Sequence, residues 1–129
     1  MRFMVMVKAD KNTEAGALPD EKLLTAMGKY NEELVKAGVM LAGEGLQASS
    51  KGARVRFNGS KRTVIDGPFS ETKELIAGYT IWEVSSIEEA LRWLERFPDD
   101  GEDSEIEIRP MYDEGPCGSA FMNEREAAQ

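Results

Sequence analysis

Histidine is missing from the 129-residue chain, and cysteine occurs once, at Cys117. Without histidine, no Ser–His–Asp triad, His–Asp base or His-ligated zinc can be built. A lone thiol makes neither an intrachain disulfide nor a thiolate metal centre, and no sequence neighbour would lower its pKa. The cytosol is the expected compartment. No apolar run approaches the ~20 residues of a membrane span. Residues 1–10 lack the basic region, apolar stretch and small-residue cleavage site of a signal peptide. Cationic excess is also lacking: the net charge is −8, and phosphate binding runs on surplus Lys and Arg, so direct contact with nucleic acid is not expected. Chemistry, if any, falls to carboxylates, lysine, tyrosine, hydroxyls or a borrowed cofactor, and no motif calls for a cofactor or a metal.

What remains is an ordinary globular composition, 41% apolar and 31% charged, in a chain of single-domain length that buries roughly two-thirds of its unfolded surface. One stretch departs from the acidic average. Residues 45–65 hold Lys51, Arg54, Arg56, Lys61 and Arg62 but no Asp or Glu, which reads as a solvated hairpin face or as an anion patch.

Met1–Lys8 is apolar at nearly every position, as a central strand is. Pro19 suits a first helical turn, with Asp20 and Glu21 at the positive end of the dipole. Leu23, Met27, Tyr30 and Leu34 then form one buried stripe, which Gly38 ends as a left-handed cap. Val39–Ala42 is a second strand. Arg54–Phe57 alternates and runs into Asn58-Gly59, a hairpin signal, with Arg62–Ile65 returning. Asp66–Phe69 is a turn, and residues 70–74 suit a short helical turn. Ile76–Val84 is a strand in which Gly78 marks bending or close backbone approach. Ser86 and Glu89 have capping-box spacing, with Ile87, Ala90, Leu91 and Leu94 as the buried stripe and Pro98 as the stop. Ser104–Met111 is the last strand, placing Ile106 and Ile108 on one face and Glu107 and Arg109 on the other.

The order is β-α-β, a hairpin excursion, then β-α-β: an α+β, ferredoxin-like sheet with both helices on one face. The opposite face, carrying Met4, Met6 and Trp82 or their neighbours, has no cover within the chain, so sheet-to-sheet pairing in a homodimer is expected.

The run Asp66-Gly67-Pro68-Phe69-Ser70-Glu71-Thr72-Lys73-Glu74, followed by Gly78-Tyr79, resembles the signature of the DGPF branch of the YCII-related proteins. Leu41–Leu46, Glu105–Arg109 and the opening strand agree with it. The resemblance covers residues 1 to 114, leaving 115–129 as a tail expected to be flexible. It implies a dimeric α+β barrel arrangement with pockets bordered by both subunits. Some wider relatives resemble enzymes with a His–Asp pair, a few acting on chlorinated aromatic diols, and this histidine-free chain departs from them there. Others carry labels linked to transcription initiation.

For ligand binding the sequence offers Asp66, Phe69, Glu71, Lys73, Tyr79, Glu107 and Arg109, with Glu44 as a further carboxylate. Each has a plainer role: Asp66 and Gly67 as turn formers, Phe69 as core, Tyr79 as core or interface, Glu107 and Arg109 as an ion pair locking the dimer. The expected function is a homodimer binding a small molecule, with no catalytic residue assigned. Two alternatives stay open. One is a lyase- or hydrolase-like enzyme on a small anionic or aromatic substrate, with Asp66 or Glu71 as base and Lys73 or Arg109 steadying an anion. The other is a protein-interaction module linked to transcription or stress response.

Because soft metal ligands are so scarce, EDTA is expected to leave the melting temperature unchanged, although hard-oxygen Mg²⁺ binding stays open. A stoichiometric transition metal in elemental analysis of untagged protein would overturn this.

Overall fold

The computed structural model describes residues 1–70, 74–98 and 103–112. Its elements are β1 (Arg2–Lys8), α1 (Lys11–Glu14), α2 (Glu21–Lys36), β2 (Met40–Gly45), β3 (Ala53–Asn58), β4 (Lys61–Asp66), β5 (Ile76–Glu83), α3 (Ile87–Leu94) and β6 (Ile106–Pro110). Four strands form one sheet in the order β2-β5-β1-β6, and β3 and β4 form a separate hairpin. The neighbouring strands pair antiparallel. This is the ferredoxin-like order, with the hairpin inserted between the second and third sheet strands.

Register decides which side chains meet. Phe3 pairs with Trp82 and Val5 with Thr80, while Val5 faces Ile108 on the other side. These residues share the face that α2 and α3 cover. The core there is Phe3, Val5, Tyr30, Leu34, Val39, Trp82, Val84 and Ala90, with Ile106 and Ile108 packed against it. The other face carries Glu44, Tyr79, Met6 and Glu107 in one cross-strand row, and Ala42, Ile81, Met4 and Arg109 in the next. Met4 and Met6 thus take the expected uncovered face. Trp82 does not: it is 1% exposed in the core, because it pairs with Phe3 and so shares its direction.

Caps define the helices. Asp20 caps α2, its carboxylate accepting the Leu23 N–H at 2.8 Å, so Pro19 lies before the helix and not in its first turn. At the other end Gly38 has φ +75°. Its N–H donates to the Val35 carbonyl and the Val39 N–H to that of Leu34, a Schellman closure that only glycine adopts without strain. Ser86 caps α3 by accepting the Glu89 N–H at 3.2 Å. The Glu89 carboxylate reaches back one residue further than a capping box would, to the backbone N–H and hydroxyl of Ser85. Those two hydrogen bonds hold its pKa below the ordinary value. The buried stripe of α3 also shifts. Ile87 and Leu91 are exposed, and Trp93, Leu94 and Phe97 pack on the core. The helix ends at Leu94 with Glu95 as its C-cap, before Pro98 is reached.

The segment after β1 carries a short helix. Asp10 and Thr13 make a reciprocal capping box for the short α1, which places Glu14 against the base of the hairpin. There Glu14 accepts the Ser49 N–H at 2.8 Å and also pairs with its hydroxyl. The same hydroxyl accepts the Phe69 N–H at 3.0 Å. The Gly67 N–H donates to the Gly52 carbonyl at 3.0 Å, and the Arg54 guanidinium lies 3.9 Å from the centre of the Phe69 ring, a cation–π contact. Gly67 has no positive φ, so unusual dihedrals do not explain it. Space does: a Cβ there would lie 1.8 Å from the Ser49 carbonyl oxygen. The hairpin tip turns at Gly59, φ +63°, with Asn58 paired to Lys61. A positive φ at the first central residue alone is the II′ geometry that suits strand twist.

Two expectations follow. Gly67→Ala must displace the Ser49 backbone and is expected to cost about 1–3 kcal/mol, as overpacking does. It should also speed tryptic cutting at Lys51 and Arg54, whereas Gly52→Ala, whose Cβ would sit 3.6 Å from the nearest such atom, should change neither. Equal melting temperatures for both variants would refute the anchor. Separately, Tyr30 is 5% exposed and donates its hydroxyl to the Trp93 carbonyl at 2.7 Å. Burial, the largest cause, pushes its pKa up to about 12, with Glu33 adding to the rise and Arg96 opposing it. The unfolded chain ionises this phenol near its ordinary value of about 10. Its contribution is therefore whole below about pH 10 and lost as pH climbs towards about 12, on the order of 2–3 kcal/mol. Urea midpoints between pH 9 and 12 should fall less steeply for Tyr30→Phe than for the unaltered protein.

Candidate functional site

Glycine shapes a concavity beneath α2. On the helix-covered face, β2 and β5 pair Gly43 with Thr80 and Gly45 with Gly78. Three of those four positions have no side chain, so the floor beneath α2 is low just where the helix passes over. A Cβ on Gly43 would come within 2.8 Å of Thr80 Cγ2, and one on Gly78 within 3.1 Å of the Glu44 carbonyl oxygen. A cavity of about 340 Å³ remains, roofed by Met27, Asn31 and Leu34 of α2 and walled by Val5, Val7, Trp82 and Phe97. Its size is at the lower end of small-molecule sites, and its lining is mostly apolar with few polar groups, as such sites are. The polar side chains at hand are Asn31 and Thr80, with Tyr30, Glu44 and Tyr79 also lining it. Trp82 also lines this space, and its buried indole N–H is the side-chain polar group among the described residues with no hydrogen-bond partner.

The residues singled out by sequence divide into three places. Tyr79 lines the cavity edge and, through β5, also belongs to the uncovered sheet face. Glu107 and Arg109 lie on that uncovered face, separated from the cavity by the sheet. Glu107 is held chiefly by Lys8, at 3.3 Å. Arg109 stands at 3.9 Å, with its side chain 73% exposed, so the ion pair expected between these two is shared with a lysine that alternation places on the same face. Asp66 ends β4, and Phe69 packs under Arg54 in the hairpin anchor. Glu71 and Lys73 lie outside the described residues, as do Cys117 and the tail. The structure therefore brings together Tyr79 and Glu44, and separately Glu107 and Arg109, but does not join Asp66 and Phe69 to either. The cavity itself went unread in the sequence. Its signal was the same-face spacing of Gly43 and Gly45, with Gly78 opposite.

Among the described residues, no helix is long and apolar enough to cross a membrane, and no cluster of three acidic or cysteine side chains is placed to hold a metal ion.

Comparison with known proteins gives three findings. The uncharacterized protein R00369 of Rhizobium meliloti (strain 1021) is 31% identical over 72 residues, covering 56% of this chain and 58% of that protein. The chain thus matches little more than half the length of that relative. Among solved structures, the 5-chloro-2-hydroxyhydroquinone dehydrochlorinase TftG from Burkholderia phenoliruptrix AC1100, in complex with 2,5-dihydroxybenzoquinone, is similar at 14% identity. Its TM-score is 0.41, with 87% of this chain and 95% of that one covered. The model of the YCII-related domain matches residues 1–113. The chain belongs to the YCII-related family.

Proposed function

We propose that this chain is a cytoplasmic, small-molecule-binding homodimer whose ligand enters the cavity beneath α2. The observation that carries the reading is that hollow of about 340 Å³, left by glycines where a packed core would otherwise close. Natural interiors are filled to crystal-like density, so a glycine-floored apolar hollow against the core is a place where a ligand supplies packing that the chain leaves out. Its lining selects the ligand class: a single-ring or similarly compact apolar body, carrying one or two hydrogen-bonding groups for Asn31 and Thr80. The orphaned Trp82 N–H adds a preference for an acceptor, since a buried donor without one carries an unrecovered desolvation cost. That N–H is shut from solvent, so an arriving acceptor has to part the lining to meet it.

Tyr79 and Glu44 sit at the rim, where they meet whatever polar group the ligand leaves outside. Phe69 has work in the hairpin anchor, under the Arg54 guanidinium. The homodimer reading rests on the uncovered sheet face with Met4, Met6, Tyr79 and Ile81 at its centre.

Phenol, catechol and benzoate serve as probes, with tryptophan emission as readout. Binding of at least one should shift the emission at a stoichiometry of one per chain. Val7→Phe, which fills the cavity, should abolish that shift while far-ultraviolet circular dichroism stays the same. Asn31→Ala should weaken binding by about 3–10-fold, the loss expected for one hydrogen bond. Saturable binding that Val7→Phe leaves intact would overturn this site, and so would no binding of any probe at millimolar concentration.

A further inference from the structure

We propose that the β3–β4 hairpin is a docking edge for another protein. An extended segment of that partner, alternating carboxylate with apolar side chains, adds as a third strand alongside β3. Nothing in this depends on the cavity beneath α2.

The edge is open. Among the described strands β3 and β4 pair only with each other, and β3 is exposed along its whole length. An isolated two-stranded ribbon is marginal in water, and a third strand relieves that. Register says which backbone groups are free. The turn closes on Asn58 and Lys61, and at the base the Gly67 N–H donates to the Gly52 carbonyl. A two-residue turn is closed by a hydrogen-bonded pair, and such pairs alternate with open ones, so the even-numbered residues of β3 bond to β4. Ala53, Val55 and Phe57 therefore turn their N–H and C=O groups outward, where no described residue bonds to them. Neither a register shift nor a proline interrupts the strand, so two of the usual devices that blunt an edge are missing. The Glu14–Ser49–Phe69 hydrogen bonds pin the base of the ribbon.

Side chains identify the occupant. β3 reads Arg54-Val55-Arg56-Phe57, so alternation sets both guanidinium groups on one face, about 7 Å apart, and both apolar groups on the other. Lys61, paired with Asn58, shares the guanidinium face. Among the described residues no carboxylate pairs with Arg54, Arg56 or Lys61. The Arg54 guanidinium lies over the Phe69 ring, a placement that leaves its N–H fork able to take a carboxylate. Neighbouring like charges weaken a ribbon that opposite charges would strengthen. An incoming strand with a carboxylate at every second position meets Arg54 and Arg56. Its apolar side chains then fall beside Val55 and Phe57, which are 50% and 67% exposed. Main-chain bonds supply affinity and the alternation supplies specificity, as strand addition does elsewhere. A second copy of β3 is barred by like charge. Nucleic acid fits less well. The chain carries a net −8, which repels a long polyanion, and the cationic face offers no bare ring for base stacking, since Phe69 lies under Arg54 and Phe57 points the other way.

Fluorescence anisotropy tests this with three labelled probes. One is a peptide alternating Glu and Val over about seven residues, a usual strand length. The second holds the same residues in two blocks, and the third is an oligothymidylate of similar length. The alternating peptide should bind saturably, one per chain, at least about 10-fold tighter than either of the others. Arg56→Glu should weaken it by at least about 10-fold, because it sets like charges together. Val55→Pro removes an outward N–H without breaking a bond inside the ribbon, so it should weaken binding as much at an unchanged melting temperature. Val64→Pro makes the matching change on the β4 edge and should leave binding as it was. A block peptide that binds as tightly reduces the effect to charge attraction and overturns strand addition. A tighter oligothymidylate makes the surface a nucleic-acid site and overturns the protein partner. Binding that Val55→Pro spares, or that Val64→Pro weakens equally, overturns the β3 edge. Self-association of the unaltered protein that Val55→Pro abolishes in sedimentation gives the edge to a second copy and overturns the proposal too. So does no saturable binding of the alternating peptide at millimolar concentration.

Discussion

The pairing of Phe3 with Trp82 across β1 and β5 fixes which face of the sheet turns inward, and everything else takes its place from that. Side chains alternate along a strand, so a one-residue slip in this register would exchange the two faces. With the register as it is, Phe3, Val5, Trp82 and Ile108 meet Leu34 of α2 and Ala90 of α3. Met4, Met6, Tyr79 and Ile81 are left without that cover. The same choice puts the glycine positions of β2 and β5 under the helix, where missing side chains make a hollow, and not on the outer face, where they would make nothing.

The inner and outer faces thereby acquire different chemistry from the same strands. Inside, the lining is mostly apolar, with the neutral Asn31 and Thr80 beneath the helix and the Glu44 carboxylate at the rim. An apolar lining of that kind disfavours burial of an unpaired charge. Outside, Lys8, Glu107 and Arg109 sit among apolar side chains at the surface. That mixture offers area and charge pattern without enclosure.

The Asp66–Phe69 turn links the two halves of the story mechanically. Gly67 is glycine because the chain passes too close to the Ser49 carbonyl for any side chain, and Phe69 gives Arg54 a ring to rest on. The tight motif thus orients the hairpin. Close packing thus accounts for Gly67 and for the seat of Phe69 within this motif.

Local pattern determined a good deal by itself. The helix over residues 21–36, its Gly38 stop, the hairpin at Gly59, the inward Ile106 and Ile108 and the outward Glu107 and Arg109 all follow from periodicity and backbone chemistry within a few residues. So does the ferredoxin-like order, since two split βαβ units leave little other choice. Features needing two distant segments at once were decided only by the tertiary structure. Trp82 went inward because of its partner on β1. Lys8 claimed Glu107 because strands 1 and 6 are neighbours, and Gly67 was set by Ser49, eighteen positions away in sequence. The cavity arose where glycines from two strands came to lie under one helix. Alternation along a strand says that two faces exist; only register and crossing helices say which is covered, and that assignment placed the candidate site.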